Sequence, residues 1–155
     1  MKNEMTLAFD SISENEAFAR VAVAAFVTQL NPTLEEVADI RTAVSEAVTN
    51  AIIHGYPKGV HTIVIRARLA ENSVEIRVSD EGVGIPDVKK AMEPLYTTRP
   101  DLERSGLGFM FMEAFMDEVR VESAPGFGTT VRMKKRVGGQ ECSCATARER
   151  KEDTN

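Results

Sequence analysis

The stretch Val44-Ser-Glu-Ala-Val-Thr-Asn-Ala-Ile-Ile-His-Gly-Tyr56 reads as the second half of an amphipathic helix. Val37, Ile40, Val44, Val48 and Ala51 recur at helical spacing and form its apolar stripe. At 100° per residue, Glu46 lies roughly 160° around the axis from Val44. Asn50 follows Glu46 by four residues, so both project from the same side one turn apart, and His54 continues the row. A carboxylate so placed can accept a proton from a hydroxyl or water. An amide oxygen beside it is a hard donor suited to Mg²⁺. Taken alone, the row reads as readily as a solvated polar face, with His54 a hydrogen-bonding residue at a helix end.

Outward from this stretch the chain resolves into one domain. Asn31-Pro32 breaks an earlier helix, and Thr33 caps the helix that contains Glu46, with Glu36 completing a capping box. Gly55 is its natural terminator. The earlier helix starts at Ser13, also with a capping box to Glu16, and Phe18, Val21, Ala22, Ala25, Phe26 and Leu30 recur at helical spacing along it. Residues 6–10 read as a first strand. Residues 62–69 and 74–79 read as two strands turning around Glu71-Asn72. Ile63, Ile65, Ala67 and Leu69 there alternate with Thr62, Val64, Arg66 and Arg68. Residues 81–105 are punctuated by Gly and Pro, with room for a short helix over 87–92. Residues 106–116 read as a helix that is apolar on most sides and therefore buried, and 119–122 and 129–135 as the last two strands. The domain spans 1–136, and the polar segment 137–155 is expected to be a disordered tail. The order β-α-α-β-β-loop-α-β-β predicts an α/β (α+β) sandwich: a mixed, mostly antiparallel sheet with helices on one face.

Composition excludes several functions. The chain has 155 residues, 43% hydrophobic and 28% charged, as expected of a soluble globular protein. A net charge of −5 argues against a nucleic-acid groove, which needs a basic face. The densest basic run, Arg132-Met-Lys-Lys-Arg136, alternates like a solvated strand edge. No apolar run approaches the roughly 20 residues of a membrane span, and no apolar signal core follows Met1. Cys142 and Cys144 fall short of the four ligands that structural zinc takes and read as incidental thiols in a reducing cytosol.

Three further pieces carry chemistry. Asp80-Glu-Gly-Val-Gly84 ends a strand with a carboxylate able to accept from an exocyclic amine such as adenine N6. Gly82 and Gly84 remove side chains where a flat ring must approach the backbone. Ser105-Gly-Leu-Gly108 opens a helix whose free N–H groups and positive dipole end suit phosphate, without the Lys of a Walker loop. Arg104 just before it is placed to reach a terminal phosphate, or else to pair with Asp101 or Glu103. Thr97-Thr-Arg-Pro100 is polar and punctuated, as a closing lid would be. Gly128-Thr-Thr130 opens the last strand, where a Thr hydroxyl can reach Asp80 or a base.

In this order and on these elements, the four pieces resemble the Bergerat-type ATP-binding fold. Gyrase B, heat-shock chaperones, histidine kinases and the mismatch-repair protein MutL share it, and the resemblance covers about residues 5–136. Within that superfamily the chain is most similar to the anti-sigma-factor serine kinases, in particular the anti-sigma-F factors of spore-forming bacteria. The words that carry the likeness are 44–56, Asp80-Glu-Gly-Val-Gly-Ile85 and Pro94-Leu-Tyr-Thr-Thr-Arg-Pro-Asp-Leu-Glu-Arg-Ser-Gly-Leu-Gly-Phe109, with Lys2-Asn-Glu-Met5 and Asn15-Glu-Ala-Phe-Ala-Arg20 in support. The resemblance implies a cytoplasmic homodimer that holds a sporulation sigma factor inactive. It implies binding of ATP or ADP with Mg²⁺ and phosphorylation of a serine on an anti-anti-sigma partner of the STAS fold, with no direct nucleic-acid or membrane contact. Carried over, Glu46 is the catalytic base, Asn50 the Mg²⁺ ligand and Asp80 the adenine reader. Gly82, Gly84, Thr97, Thr98, Ser105, Gly106, Leu107, Gly108 and Thr129 belong to the nucleotide pocket, with Thr130 near adenine. Arg104 contacts the γ-phosphate and Arg20 a protein partner. A stress-response anti-sigma kinase and a non-catalytic ATP-dependent binding module are the alternatives. A histidine kinase's catalytic domain would need an acceptor His on a preceding helical hairpin, and His54 and His61 lie on none.

Overall fold

Strict alternation builds the sheet. In β2 (Thr62–Ala70) the residues Ile63, Ile65, Ala67 and Leu69 are all fully buried, while the side chains between them face the other way. Its hairpin partner β3 (Ser73–Asp80) buries Val74, Ile76 and Val78 in the same sense. The turn between them places Glu71 at φ 54. The computed structural model describes residues 2–93 and 108–138. Its other strands are β1 (Lys2–Asp10), β4 (Glu118–Ser123) and β5 (Thr129–Arg136), in the spatial order β1-β2-β3-β5-β4. Every ladder is antiparallel, so the parallel pairing a mixed sheet would contain is absent among the described strands. The connection explains it: α1 (Glu14–Val27) and α2 (Leu34–Asn50) form a down-and-up pair between β1 and β2, which returns the chain antiparallel beside its start.

The helices cover the buried face, and their boundaries follow local chemistry. The capping box of α2 is complete: Glu36 N donates to Thr33 Oγ1 at 3.1 Å and Thr33 N to Glu36 Oε2 at 2.8 Å. The expected box on α1 is not formed, because Ser13 is itself in the right-handed helical region and its side chain makes no cap bond. The buried face of α1 is also different from the expected one. Ala19, Val23, Ala24 and Val27 are buried, while Phe18 and Val21 are each 54% exposed. The inward stripe is Ala19, Val23 and Val27 with Phe26 and Leu30 packed partly against the core, rotated from the expected one so that Phe18, Val21 and Ala25 face outward. The short helix α3 (Val88–Ala91) is capped by Asp87, and α4 (Gly108–Phe115) follows. The expected full burial of α4 is not found, since Gly108 and Met112 are buried but Met110 is 38% exposed. The domain also continues past residue 136. Val137 is 2% exposed, its amide donates to Asn72 O at 2.8 Å, and Gly138 N donates to Glu36 Oε2 at 3.1 Å.

The basic run 132–136 is not an edge, because β5 is interior, between β3 and β4. Arg132 donates to Glu75 at 2.9 Å, and Lys135 reaches the helix side, donating to Phe115 O at 2.7 Å and pairing with Asp39 at 3.5 Å. On the open face the register aligns four arginines across four strands: Arg66 faces Arg77, Arg77 faces Arg132, and Arg132 faces Arg120. Like charges directly opposite destabilise a sheet, and Glu75 and Glu118 offset part of that through Arg77, Arg132 and Arg120. Arg66→Thr removes one end of the row and adds a strand-favouring residue. It is expected to stabilise the chain by about 0.5 kcal/mol, a rise of about 1–2 °C in Tm at low salt. The gain should shrink in high salt, where the repulsion is screened; an unchanged or lower Tm at low salt would refute the repulsion.

Candidate functional site

Asp80 is the last residue of β3 and is only 8% exposed. Its Oδ1 accepts from Gly82 N at 2.9 Å, and the Thr129 amide also hydrogen-bonds the carboxylate. Burial pushes its pKa above the ordinary aspartate value, and the two amide bonds pull the other way without cancelling it. Gly55 packs directly on this carboxylate: a Cβ there would lie 2.7 Å from Asp80 Oδ1. A substituent at Gly82 would strike Gly55 O at 1.8 Å, so close backbone approach, more than turn freedom, requires that glycine. Gly84, at φ 76, lies against Ala124.

The loop after β3 is fastened on both sides. Val83 N donates to Gly55 O at 3.0 Å, and Gly126 N donates to Val83 O at 2.8 Å. Ile85 N donates to Ser123 Oγ at 2.7 Å, which bonds onward to Gly128 O at 2.8 Å. Between this loop, the end of α2 and the start of α4 lies a cleft of about 350 Å³. Ala47, Ile53, Ile85, Phe109 and Val131 give it apolar walls, and Asn50, His54, Asp80 and Thr129 supply polar groups. A mostly apolar cleft with a few converging polar groups suits a planar heterocycle.

Asn50 and Gly108 line the cleft, and Glu46, which does not, converges with Asn50 on Gly108, the first described residue of α4. A Cβ at Gly108 would sit 3.2 Å from Glu46 Oε2 and 3.3 and 3.4 Å from the Asn50 amide atoms. The one-turn spacing therefore brings the two side chains to one place, as their row on the helix predicts. The helix changes pitch just beyond them: residues Ala51–Gly55 form a wider π turn, closed by Tyr56 N donating to Ala51 O at 3.0 Å. Such turns recur at functional sites.

Thr129 lines the cleft, but Thr130 does not; its hydroxyl is 3.0 Å from Ser79 Oγ on the opposite face of the sheet. The placement of Thr130 near adenine is thus corrected by the period-2 alternation of β5. Arg20 lies on α1, which contributes no residue to the cleft wall; its Nη1 donates to Glu16 Oε1 at 3.4 Å. Thr97, Thr98, Arg104, Ser105, Gly106 and Leu107 lie outside the described residues, as do Cys142 and Cys144. Gly55, Tyr56 and Ser123 were not read as site residues from sequence. The Gly55-Tyr56 pair closing a polar helical row was the only available signal for the first two.

The Histidine kinase-like ATPase domain family matches residues 11–135. The anti-sigma F factor of Oceanobacillus iheyensis is 59% identical over 138 residues, covering 88% of this chain and 94% of that protein. That of Clostridium novyi is 60% identical over 136 residues, 87% and 95% respectively. That of Bacillus licheniformis is 51% identical over 145 residues, 93% and 99%. No helix among the described residues is long and apolar enough to cross a membrane. With its antiparallel sheet, its buried strand-end aspartate and these relatives, the chain belongs to the anti-sigma F factor family, within the histidine kinase-like ATPase domains.

Proposed function

We propose that this protein is a cytoplasmic anti-sigma factor and protein-serine kinase. It holds a sporulation sigma factor inactive as a homodimer, and uses ATP to phosphorylate a serine of a STAS-type anti-anti-sigma partner. The observation that carries the reading is the convergence of Glu46 and Asn50 at Gly108, where Asn50 and Gly108 line the same cleft as the buried Asp80. The anti-sigma F names of the relatives support the sigma factor as a partner.

The residues fit Mg-ATP. Asp80 sits where its free carboxylate capacity can accept from the adenine amine, and the apolar walls suit the base. Gly108 adds no side chain where Glu46 and Asn50 meet the start of α4, which leaves backbone there for the phosphates. Among the described residues no group of three or more His, Cys, Asp or Glu could hold a metal. Asn50 would hold Mg²⁺ through its amide oxygen, together with nucleotide phosphates and water. Bound Mg²⁺ would neutralise charge on the phosphates.

The partner's serine oxygen attacks the γ-phosphorus, the new O–P bond forms, the bond to the β-phosphate oxygen breaks, and ADP leaves. Glu46 takes the hydroxyl proton as that bond forms. In this reading Arg104 stabilises charge on the transferred group, Thr97 and Thr98 belong to the lid, and Ser105, Gly106 and Leu107 complete the phosphate cradle. Arg20 contacts the protein partner.

Glu46→Gln keeps the shape of the side chain and removes the base. Phosphate transfer from labelled ATP to a STAS-type partner should fall about 10²–10⁴-fold, with ATP affinity changed less than about threefold. Transfer at the wild-type rate would exclude Glu46 as the base. Asp80→Asn should weaken ATP binding by roughly 10–100-fold, the worth of one hydrogen bond to a charged group; unchanged affinity in calorimetry would remove Asp80 as the adenine reader. The pH dependence follows from the raised pKa of Asp80. Protonation removes the carboxylate charge and weakens it as an acceptor, so ATP affinity falls on acidification, with a midpoint above the ordinary aspartate value of 3.8. The same raised pKa means that protonating Asp80 does not itself favour unfolding, so the loss should be reversible in a binding titration from pH 7 downward over the range in which the chain stays folded. Loss of affinity only together with loss of fold would contradict it.

A further inference from the structure

One phenol outside the cleft ties the adenine side of the site to the helix that carries Glu46 and Asn50. Glu81 N donates to Tyr56 Oη at 2.6 Å, and Tyr56 Oη donates to Thr62 O at 2.9 Å. The direction of both bonds is forced. The phenol has one hydrogen, and the Glu81 amide can only donate, so the hydroxyl hydrogen points to Thr62. Tyr56 N closes the π turn on Ala51 O at 3.0 Å, and the ring lies tilted against His61 with centroids 4.8 Å apart. Its neighbour Gly55 accepts from Val83 N at 3.0 Å. Residues 55 and 56 therefore hold residues 83 and 81, the two flanks of Gly82. Gly82 in turn donates the amide that orients Asp80 Oδ1 at 2.9 Å.

We infer that Tyr56 is a positioning residue for adenine recognition: its oxygen fixes the turn after Asp80, and so the direction in which the Asp80 carboxylate faces the cleft. This rests on the reading of the cleft as an adenine-nucleotide site. Tyr56 is not among the cleft-lining residues, so it acts through the turn and not by touching nucleotide. Phenylalanine would preserve the ring against His61 and delete only the bridging oxygen. The Glu81 amide would then turn to water and the turn would loosen at its outer flank, while Val83 keeps the inner one.

The experiment uses the full chain and two ligands, ATP and purine riboside 5′-triphosphate, which lacks the exocyclic amine. Tyr56→Phe should weaken ATP about 3–10-fold, the worth of one neutral hydrogen bond, and weaken the analogue less than about twofold. In the kinase assay, the KM for ATP should rise by the same factor with kcat unchanged. Equal weakening of both ligands would make Tyr56 a purely structural residue, and no weakening of either would remove its role; both overturn the inference. The wild-type chain binding the analogue as tightly as ATP would instead defeat the adenine-reading assignment of Asp80, whatever the variant does. A readout independent of the variant's folding is amide exchange in the wild-type chain. The Glu81 amide should be protected well beyond a solvent-exposed loop amide, and free exchange there would overturn the inference.

Discussion

The carboxylate of Asp80 is the constraint around which the site is built. A carboxylate at the end of a central strand is taken largely out of water, which is costly unless hydrogen bonds replace the lost hydration. Here the amides of Gly82 and Thr129 supply them, one from the turn after the strand and one from the strand alongside. Each donor needs backbone close to the carboxylate, and that closeness dictates the neighbours. A side chain at Gly55 would overlap the carboxylate, and one at Gly82 would strike Gly55 O. The result is a polar group held rigidly in a mostly apolar cleft, with capacity left to accept from a ligand.

A second constraint comes from α2. Glu46 and Asn50 serve one place only because α2 stays regular through Asn50. Directly afterwards the chain must also offer backbone to the Asp80 loop. The π turn over Ala51–Gly55 makes that change within a single turn. Its extra residue per turn leaves Gly55 O available to Val83 N and delivers the Tyr56 ring beside the start of β2. The two halves of the candidate site are thus joined by about six residues of chain.

What sequence reading recovered follows from how local each signal is. The alternation in β2 was legible because one face is fully buried and the other is open, leaving one consistent register. The capping box at Thr33 and Glu36 was legible because all its atoms lie within four residues. The Glu46–Asn50 row was legible because helical geometry alone sets it. The buried face of α1 was not, because its apolar residues offer two overlapping stripes and only packing in the fold selects the one through Ala19, Val23 and Val27. The choice of Thr129 over Thr130 turns on one residue of strand register, set by the antiparallel pairing of Asp80 with Thr129. The aligned arginines are not legible in sequence for the same reason: each is ordinary in its own strand, and only pairing across four strands brings them opposite one another.

Gly55 and Tyr56 show most clearly where local reading ends. As sequence they look like a helix terminator and the residue after it, and a terminator has no further duty. In the structure the terminator is chosen by a carboxylate twenty-five positions away, and the tyrosine's hydrogen bonds reach six and twenty-five residues further along the chain. A helix could end at many residues with a left-handed backbone, but only a residue without a Cβ can lie against Asp80. Gly55 is not a positive-φ glycine in this structure, so contact, and not conformational freedom, is what selects it. Helix termination and site construction are therefore the same event in this chain, and a substitution that preserved the helix end while adding a methyl group would keep the fold's outline and lose the geometry of Asp80.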